Sequence, residues 1–435
     1  MFTVNREAVS EAAVQARMLA YGQAEGASHL PGKRVAVCTS NPVELAAFVL
    51  YAKQLGISVL LIHGETPFVT ARERAVEAGC SLLLHGDPVQ EWVLPADGAG
   101  TYPASLLQYS SGTSGDAKLI ARSWDEIDTE IRSYNEALQM DPLIRPIVLA
   151  PISHSYGLIC GLLAAIERKS KPVLITSSNP KVALGQIRDI SHHLVYGVPM
   201  LFHVLLSLAG ENLRFHQLIS SGAPLPEPLF DRLYERADRM LQQYGCTEAG
   251  CLALSPQAET HTEVGRPLSH LSLEAGDQVD HPGEIVAVTA KGRIHTRDLG
   301  YWSDLGRLHL LARMDDVINV SGLKVYPVEV ENVLMQCPGV EDAVVFRGHH
   351  PIMGERAVAL VKSSGTLTSA SEAMSSDDPN SGHSMLTEAS VLKAWCASKL
   401  PPYKVPGEFR MVSDIPRQPS GKISRRMLEE GEIAP

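Results

Sequence analysis

The first part of the chain alternates short apolar runs with longer amphipathic ones. The pattern predicts a strand at Arg34–Val37, a helix from Pro42 to Leu55 and a strand at Ile57–Ile62. The same alternation recurs at residues 146–176 and 192–210. Short apolar strands separated by helices are typical of a parallel sheet that is covered on both faces. We therefore expect an α/β fold for the large part of the chain that precedes Pro282.

The hydrophobic pattern changes after Pro282. Short apolar runs and tight turns up to Leu311 indicate a small β-rich subdomain. A helix is predicted at Pro327–Gln336, because proline and glutamates near its start favour a helix amino end. A strand is expected to follow at residues 341–348. The segment Ser363–Ser384 is rich in serine, glycine and acidic residues, so we expect a disordered surface insertion there.

Length and composition narrow the possible functions. A chain of 435 residues is too long for one hydrophobic core, and we expect two or three domains. The formal net charge of −11 argues against nucleic acid or an anionic membrane as a partner. Seven cysteines without a CxxC pair indicate reduced thiols. The sequence has neither a signal-peptide pattern nor an apolar stretch of membrane-spanning length, so the expected compartment is the cytoplasm.

The stretch "YSSGTSGDAKL" at Tyr109–Leu119 concentrates residues that can bind phosphate. Glycine lets the backbone approach closely, hydroxyl groups donate hydrogen bonds, and lysine supplies a positive charge. The candidate phosphate contacts are Ser110, Ser111, Gly112, Thr113, Ser114, Gly115 and Lys118. Their spacing differs from that of a P-loop. Taken alone, the composition fits a flexible turn as well as it fits a phosphate site.

Four further motifs follow this stretch in order. They are "SSGAPL" at 220–225, "QQYGCTEAG" at 242–250, the segment 296–331 that begins "TRDLGYW", and "PRQPSGKISRRML" at 416–428. Together the five motifs resemble the adenylate-forming superfamily of acyl- and aryl-CoA synthetases, nonribosomal-peptide adenylation domains and luciferase. The resemblance implies that a carboxylate attacks the α-phosphorus of MgATP, that pyrophosphate leaves, and that the acyl adenylate is passed to a thiol. Such chemistry rests mainly on positioning and charge neutralisation.

The resemblance also implies which residues contact the phosphates. Thr113 and Lys118 would contact the β- and γ-phosphates. Thr247 would touch the α-phosphate, and Glu248 would hold Mg²⁺, a hard cation that prefers carboxylate oxygen. Lys422 would be the catalytic lysine, since a lysine on a glycine-flanked loop can neutralise charge that develops between the carboxylate and the phosphate. Without the other motifs, Lys422 would be read as an exposed lysine of the tail.

The base and the ribose have their own implied contacts. Ser221, Gly222, Ala223 and Pro224 would pack along the adenine, with Tyr244 as its stacking partner and Gly245 beside it. Asp298 would accept hydrogen bonds from both ribose hydroxyls, supported by Arg313.

A movable second domain is implied as well. The resemblance divides the chain into an AMP-binding domain at 1–313 and a mobile α+β domain at 314–435. Asp315 would be the hinge between adenylation and thioester formation. In the thioester-forming pose, Gly322 would leave room for a pantetheine arm.

The substrate is indicated by the segment around His154. This histidine stands where the family has a residue between the ATP site and the acyl pocket, and the alternative is a core histidine. Amino-acid-activating relatives carry an aspartate nearby, and "SHSYG" has no acid, so a buried α-ammonium group is disfavoured. The arrangement resembles that of aryl- and short-acyl-CoA ligases.

The chain also departs from the family pattern. Ala117 and Leu119 flank Lys118 where proline and glycine are usual, and Ala312 replaces the glycine before Arg313. About 108 residues precede the glycine-rich stretch, and this short front end resembles that of compact stand-alone ligases.

We predict ATP- and Mg²⁺-dependent activation of a carboxylic acid, such as a hydroxybenzoate, and transfer to CoA or to the phosphopantetheine of a separate carrier protein. The alternatives are a short- or medium-chain fatty acyl-CoA ligase and an inactive nucleotide-binding regulator.

Overall fold

The computed structural model describes residues 1–23, 32–94, 103–110, 118–177, 179–210, 213–350, 354–364, 388–417 and 423–431. The strands within these ranges are β1 (Phe2–Val4), β2 (Glu7–Val9), β3 (Arg34–Cys38), β4 (Ser58–Ile62), β5 (Leu82–His85), β6 (Gln90–Val93), β7 (Ser105–Ser110), β8 (Lys118–Ser123), β9 (Arg145–Val148), β10 (Val173–Leu174), β11 (His193–Gly197), β12 (Phe215–Ser220), β13 (Ala237–Cys246), β14 (Gly250–Ser255), β15 (Glu263–Pro267), β16 (Ser272–Glu274), β17 (Gly283–Thr289), β18 (Gly292–Trp302), β19 (Leu308–Arg313), β20 (Ile318–Val320), β21 (Leu323–Val325), β22 (Val340–His350), β23 (Gly354–Ser363) and β24 (Glu408–Met411).

The α-helices are α1 (Glu11–Gln23), α2 (Pro42–Leu55), α3 (Phe68–Glu77), α4 (Trp124–Leu138), α5 (Ala164–Glu167), α6 (Pro180–Asp189), α7 (Pro199–Ala209), α8 (Glu227–Tyr234), α9 (Pro327–Met335), α10 (Glu388–Lys399) and α11 (Arg425–Glu429). A π-helix spans Tyr156–Leu163, and 3-10 turns span Met314–Asp316 and Pro402–Lys404.

Local sequence explains why the predicted helix α2 begins and ends where it does. The Asn41 side chain accepts hydrogen bonds from the amides of Val43 and Glu44, and Pro42 occupies the first helical position. Gly56 closes the helix in the left-handed conformation, with φ of 68°. The helix and the strands on either side of it are confirmed.

Two sheets carry the larger part of the fold. The large sheet has the order β16-β17-β18-β19-β15-β14-β13-β12-β11-β9-β10-β1-β2, and the second has the order β6-β5-β3-β4-β7-β8. Strands β9, β11, β12 and β13 are parallel, as are β3, β4 and β7. The main apolar core lies between the sheets and includes Phe48, Trp124 and Tyr196. The predicted α/β class is confirmed.

The β-rich region predicted after Pro282 is continuous with the large sheet. Strand β15 pairs with both β14 and β19, and β18 pairs with β17 and β19. Residues beyond the 3-10 turn form their own sheet, with the order β21-β20-β23-β22 and β24 beside β23. The helix predicted at Pro327–Gln336 ends one residue earlier, at Met335.

The described residues bear only in part on the predictions of a surface insertion and of no membrane-spanning segment. Ser363 is the last residue of β23, whereas residues 365–384 of the expected insertion lie outside the described residues. Within the described ranges, no helix is long and apolar enough to cross a membrane.

Candidate active site

The carboxyl ends of the parallel strands meet at one edge of the large sheet. Gly197 ends β11, Ser220 ends β12 and Cys246 ends β13. In open α/β sheets, ligands bind outside the carboxyl ends of the strands. Two of the predicted contact segments, "SSGAPL" and "QQYGCTEAG", therefore lie side by side at this edge.

The tight turn formed by Thr247, Glu248 and Ala249 joins β13 to β14. Glu248 is exposed and Thr247 is half-buried. At Gly245 the pairing of β13 with β14 shifts, and an added Cβ would lie 2.2 Å from the carbonyl oxygen of Gly250. Glycine, which has no Cβ, is therefore the residue that fits where the pairing shifts.

Glu248 provides one accessible carboxylate. A single carboxylate is compatible with a Mg²⁺ ion that is bound by the protein and the nucleotide together. Mg²⁺ usually takes one or two carboxylates and fills its remaining positions with water and substrate phosphate. Among the described residues, no group of three or more histidine, cysteine, aspartate or glutamate side chains forms a metal cage.

Cys246 directly precedes this turn. Burial, with a smaller contribution from the Glu248 carboxylate, raises the pKa of its thiol to about 12. The thiol is therefore protonated at neutral pH and is a poor nucleophile.

Tyr244, Asp298 and Arg313 come together across three strands. The hydroxyl of Tyr244 donates to Asp298 Oδ2 at 2.7 Å, and Arg313 Nη1 lies 3.6 Å from Asp298 Oδ1. Asp298 and Arg313 face each other in the register of β18 with β19. Burial raises the pKa of Tyr244, so its phenol remains a donor. The contact predicted between Asp298 and Arg313 is present in the structure.

The "SSGAPL" segment lies between β12 and α8. Ser221 is buried, and its amide donates to Gly197 O at 3.4 Å. Gly222 has φ of +86°, while Gly222, Ala223 and Pro224 are exposed. The segment thus presents accessible backbone next to the ends of β11 and β12. Packing on an adenine, and stacking by the buried Tyr244 ring, stay predictions.

The second sheet meets this edge through Gln108 on β7. Gln108 Nε2 donates to Ser153 O at 3.1 Å, and Ser155 Oγ donates to Gln108 Oε1. These bonds hold the segment that carries His154, whose exposed ring lies 6.3 Å from that of His63. His154 is not a core histidine, so that alternative is wrong. Its role between ATP and acid stays a prediction.

The two ends of the glycine-rich stretch are described. Ser110 ends β7 and faces Lys118, which begins β8. Ser110 is buried and Lys118 is exposed. Ser111, Gly112, Thr113, Ser114 and Gly115 lie outside the described residues, as does Lys422. Their roles remain predictions from the sequence.

The predicted hinge directly follows β19. Asp315 Oδ2 accepts from Arg297 Nε at 2.9 Å, and Arg347 Nη2 donates to Asp315 O at 2.8 Å. Arg297 has φ of +60°, a left-handed conformation that is uncommon for residues other than glycine. Gly322 also has positive φ, at 89°, and its amide donates to Asn319 Oδ1 at 2.8 Å.

A hydrogen bond joins the part of the chain that follows Asp315 to the part that precedes it. Asn332 Oδ1 on α9 accepts from the amide of Glu227 at the start of α8, at 3.1 Å. On α7, burial lowers the pKa of His203, and the positive charge of Arg232 lowers it further. Arg417, which precedes the "PSGKISRR" motif, donates through Nη2 to Asp342 Oδ2 at 2.6 Å.

Sequence reasoning missed a buried ion pair behind the Thr247–Glu248 turn. Arg122 on β8 donates to Glu130 on α4, and their side chains are only 6% and 1% exposed. One signal was available in the sequence. Glu130 falls on the apolar face of α4 with Ile127, Ile131 and Tyr134, and a charged residue on such a face needs a partner.

Two family models match the chain. They are "AMP-binding enzyme" at residues 95–301 and "AMP-binding enzyme C-terminal domain" at residues 329–422. A 3,4-dihydroxybenzoate–[aryl-carrier protein] ligase from Bacillus anthracis is 45% identical over 433 residues, which is 100% of both chains. A 4-coumarate–CoA ligase-like protein from Oryza sativa subsp. japonica is 26% identical, over 80% of this chain and 67% of its own length.

Solved structures show the same fold. The o-succinylbenzoate CoA synthetase of Bacillus subtilis, in complex with its acyl-adenylate intermediate, has a TM-score of 0.79 at 22% identity and covers 98% of this chain and 94% of its own. Both family models and the full-length relative agree with the motifs found in the sequence. The chain therefore belongs to the AMP-binding enzymes of the adenylate-forming superfamily and is an AMP-forming acid–thiol ligase.

Proposed function

We propose that the protein activates a hydroxybenzoate, with 3,4-dihydroxybenzoate as the first candidate, and loads it onto the phosphopantetheine of a separate aryl-carrier protein. The observation that carries this proposal is the 45% identity, over the whole of both chains, to a ligase with that substrate and that acceptor. The absence of an acid in "SHSYG" agrees with an aryl acid, because an amino acid would bring an ammonium group that needs a counter-charge.

The first half-reaction joins the acid to AMP. A carboxylate oxygen of the acid attacks the α-phosphorus of ATP, the bond from that phosphorus to the bridging oxygen breaks, and pyrophosphate leaves. Asp298 is assigned to the ribose, and its contacts with the Tyr244 hydroxyl and with Arg313 support this assignment. Glu248 is assigned to hold Mg²⁺ together with the phosphates, and a metal bound there would neutralise negative charge on the pyrophosphate. Lys422 is assigned to neutralise negative charge on the substrate carboxylate and on the bridging phosphate oxygen.

The second half-reaction moves the acyl group to sulfur. The thiol loses its proton to solvent as its sulfur attacks the acyl carbon, the bond between that carbon and the phosphate oxygen breaks, and AMP leaves with that oxygen. The proposal assigns Asp315 as the pivot between the two half-reactions. Gly322, whose added Cβ would have no described atom within 4 Å, is assigned to the path of the pantetheine arm.

The acid is tested by acid-dependent exchange of labelled pyrophosphate into ATP. The panel contains 3,4-dihydroxybenzoate, 2,3-dihydroxybenzoate, benzoate, hexanoate and several α-amino acids. We expect the fastest exchange with a hydroxybenzoate. Exchange only with hexanoate or with amino acids would overturn the substrate assignment, and no exchange with any acid in a panel extended to further acids would overturn the proposed activation.

The acceptor is tested with the acid selected by the exchange panel. Thioester formation is compared between CoA and a purified aryl-carrier protein in its phosphopantetheinylated form, with the unmodified carrier as control. We expect a higher kcat/KM with the modified carrier. A higher kcat/KM with CoA would reassign the enzyme as a CoA ligase.

A further inference from the structure

The buried pair Arg122–Glu130 lies directly behind the turn that carries Thr247 and Glu248. Arg122 Nη2 donates to Glu130 Oε2, and neither side chain has appreciable contact with solvent. Desolvating two charges is costly, and well-packed apolar residues often stabilise a core equally well. The general stability of the fold therefore does not explain why two charges occupy this place.

The pair is in direct contact with the backbone that follows the turn. The second carboxylate oxygen, Glu130 Oε1, accepts from the amide of Cys251 at 2.8 Å. A Cβ added to Gly250 would lie 2.3 Å from Glu130 Oε2 and 2.4 Å from Arg122 Nη1. Gly250 also has φ of +76°, which glycine adopts readily. The backbone two residues after Glu248 therefore packs against the ion pair itself.

The same pair is connected to the glycine-rich stretch. Arg122 lies on β8, the strand that begins at Lys118 and leads away from that stretch. Successive side chains of a strand alternate between its faces, so Lys118 and Arg122 share one face of β8. The pair thus joins the strand of the glycine-rich stretch to the turn of the candidate Mg²⁺ ligand.

One donor of Arg122 is unused within the described part of the chain. Its Nη1 atom is buried and has no hydrogen-bond partner among the described residues. Burial by itself would lower the pKa of this guanidinium, but the Glu130 carboxylate reverses the direction and leaves it raised. The arginine is charged, and its orientation is set by Glu130 and by the backbone at Gly250.

We propose that Arg122 and Glu130 are positioning residues for MgATP. They fix the Thr247–Glu248 turn relative to β8, so that Glu248 and Lys118, the first residue of β8, keep a constant separation. This inference rests on the proposed function, because it assigns Glu248 to Mg²⁺ and Lys118 to the phosphates. Neither residue of the pair needs to touch the nucleotide.

The test compares three variants of the full-length protein. Glu130→Gln keeps the size of the side chain and one acceptor for Cys251 but removes the charge that orients Arg122. Glu130→Asp keeps the charge and withdraws the carboxylate by one methylene group. Glu136→Gln, on the same helix but exposed, is the matched control. Each variant is assayed for its thermal midpoint, its binding of MgATP by calorimetry, and its pyrophosphate exchange.

We expect Glu130→Gln to raise the Kd for MgATP and the half-saturating Mg²⁺ concentration at least fivefold. The KM for the acid should stay within twofold of wild type, Glu130→Asp should be intermediate, and Glu136→Gln should match wild type. A folded Glu130→Gln variant with wild-type Kd for MgATP and wild-type Mg²⁺ dependence would overturn the proposal. If Glu130→Gln does not fold, Glu130→Asp decides by the same readouts.

A merely structural pair predicts a different result. It would lower the thermal midpoint and the fraction of active protein, while the folded fraction would keep its normal MgATP affinity. Calorimetry also separates this inference from the proposed function. If the wild type binds MgATP but exchanges with no acid, the proposed function fails while the positioning role is still decided by the variants.

Discussion

Two arginine–carboxylate pairs lie beside the candidate site, and they differ in burial. Arg122 and Glu130 are 6% and 1% exposed, whereas Arg297 and Asp315 are 56% and 28% exposed. Removing one partner of a buried pair typically costs about 3–5 kcal/mol, while an exposed pair contributes about 0–1 kcal/mol. The buried pair supports the turn of Glu248, and the exposed pair holds the predicted hinge. The low exposure of the first pair suits the turn that it is proposed to fix, and the higher exposure of the second suits a contact that would break if the predicted hinge rotates.

The largest expected effect concerns the part that is predicted to move. Lys422→Ala should lower adenylation about 10³-fold, the size seen when a group that stabilises transition-state charge is lost. Thioester formation from a supplied acyl adenylate should stay within a few-fold of wild type, because the lysine is assigned to the first half-reaction only. Single-turnover assays of each half-reaction measure this. Lys393→Ala, at an exposed position of α10, is the control, and equal loss in both half-reactions would contradict a moving lysine.

A smaller effect is expected on the fixed part, at the ribose contact. Asp298→Asn removes the charge that faces Arg313 and weakens the acceptor for the ribose hydroxyls. A hydrogen bond to a charged group contributes about 1.5–3 kcal/mol, so the KM for ATP should rise about 10- to 100-fold. The KM for the acid should hardly change. Asp304→Asn, in the exposed turn between β18 and β19, is the control, and an unchanged KM for ATP would remove Asp298 from the ribose site.

Breaking the exposed pair should have a modest effect on the balance between half-reactions. Arg297→Gly removes the ion pair and suits the left-handed backbone at φ of +60°. Asp315 is the proposed pivot, so loss of its contact with Arg297 should shift the balance between the poses for the two half-reactions. We expect the ratio of the adenylation rate to the thioester-formation rate to change about threefold, in line with an exposed pair.

A double-mutant cycle tests whether the contact itself is responsible. Asp315→Asn should have a similar effect, and the double variant should be no worse than either single variant. Additive effects would mean that Arg297 and Asp315 act separately. The exposed pair could then not be compared with the buried pair Arg122–Glu130 as a contact that controls movement.

The smallest expected effect is a dependence of stability on pH. Burial lowers the pKa of five histidines that all precede Asp315 in the chain: His193, His203, His261, His270 and His309. His193 illustrates the cause, because its Nε2 accepts from the amide of His216 at 3.0 Å and must be unprotonated to do so. Below the unfolded pKa of about 6.5, the unfolded chain binds more protons than the folded one, so stability falls as pH decreases.

Thermal unfolding at pH 7.5 and pH 5.5 measures this effect. We expect a midpoint lower by a few degrees at pH 5.5 and little change between pH 7.5 and 8. Hydrogen exchange should show that the loss lies in the large sheet and not in the sheet that follows Asp315. Equal loss in both parts would argue against buried histidines as the cause.

The sequence predicted those features that depend on neighbouring residues. Helix α2 could be found because Asn41, Pro42 and Gly56 terminate it locally, and the contact of Asp298 with Arg313 followed from a motif. The π-helix at Tyr156–Leu163 could not be found, because it depends on close packing. A Cβ at Gly157 would lie 2.4 Å from Pro151 O, and that contact is not visible in a periodic pattern.

The Arg122–Glu130 pair lies between these two cases. The helix pattern predicts that the charge of Glu130 lies on the apolar face of α4. Its partner Arg122 and its contact with Cys251 could be identified only from the three-dimensional structure. Nothing in the sequence predicts the left-handed backbone of Arg297, because arginine rarely adopts this conformation.

The position of Arg313 as the last residue of β19 has a consequence for the order in which products leave. Rotation at Asp315 would begin two residues later, so the Asp298–Arg313 contact would remain on the stationary side throughout. AMP would then keep the same ribose contacts after pyrophosphate has gone and while the thiol reacts. The enzyme should accordingly release pyrophosphate first and AMP last, and AMP should be a competitive inhibitor toward ATP.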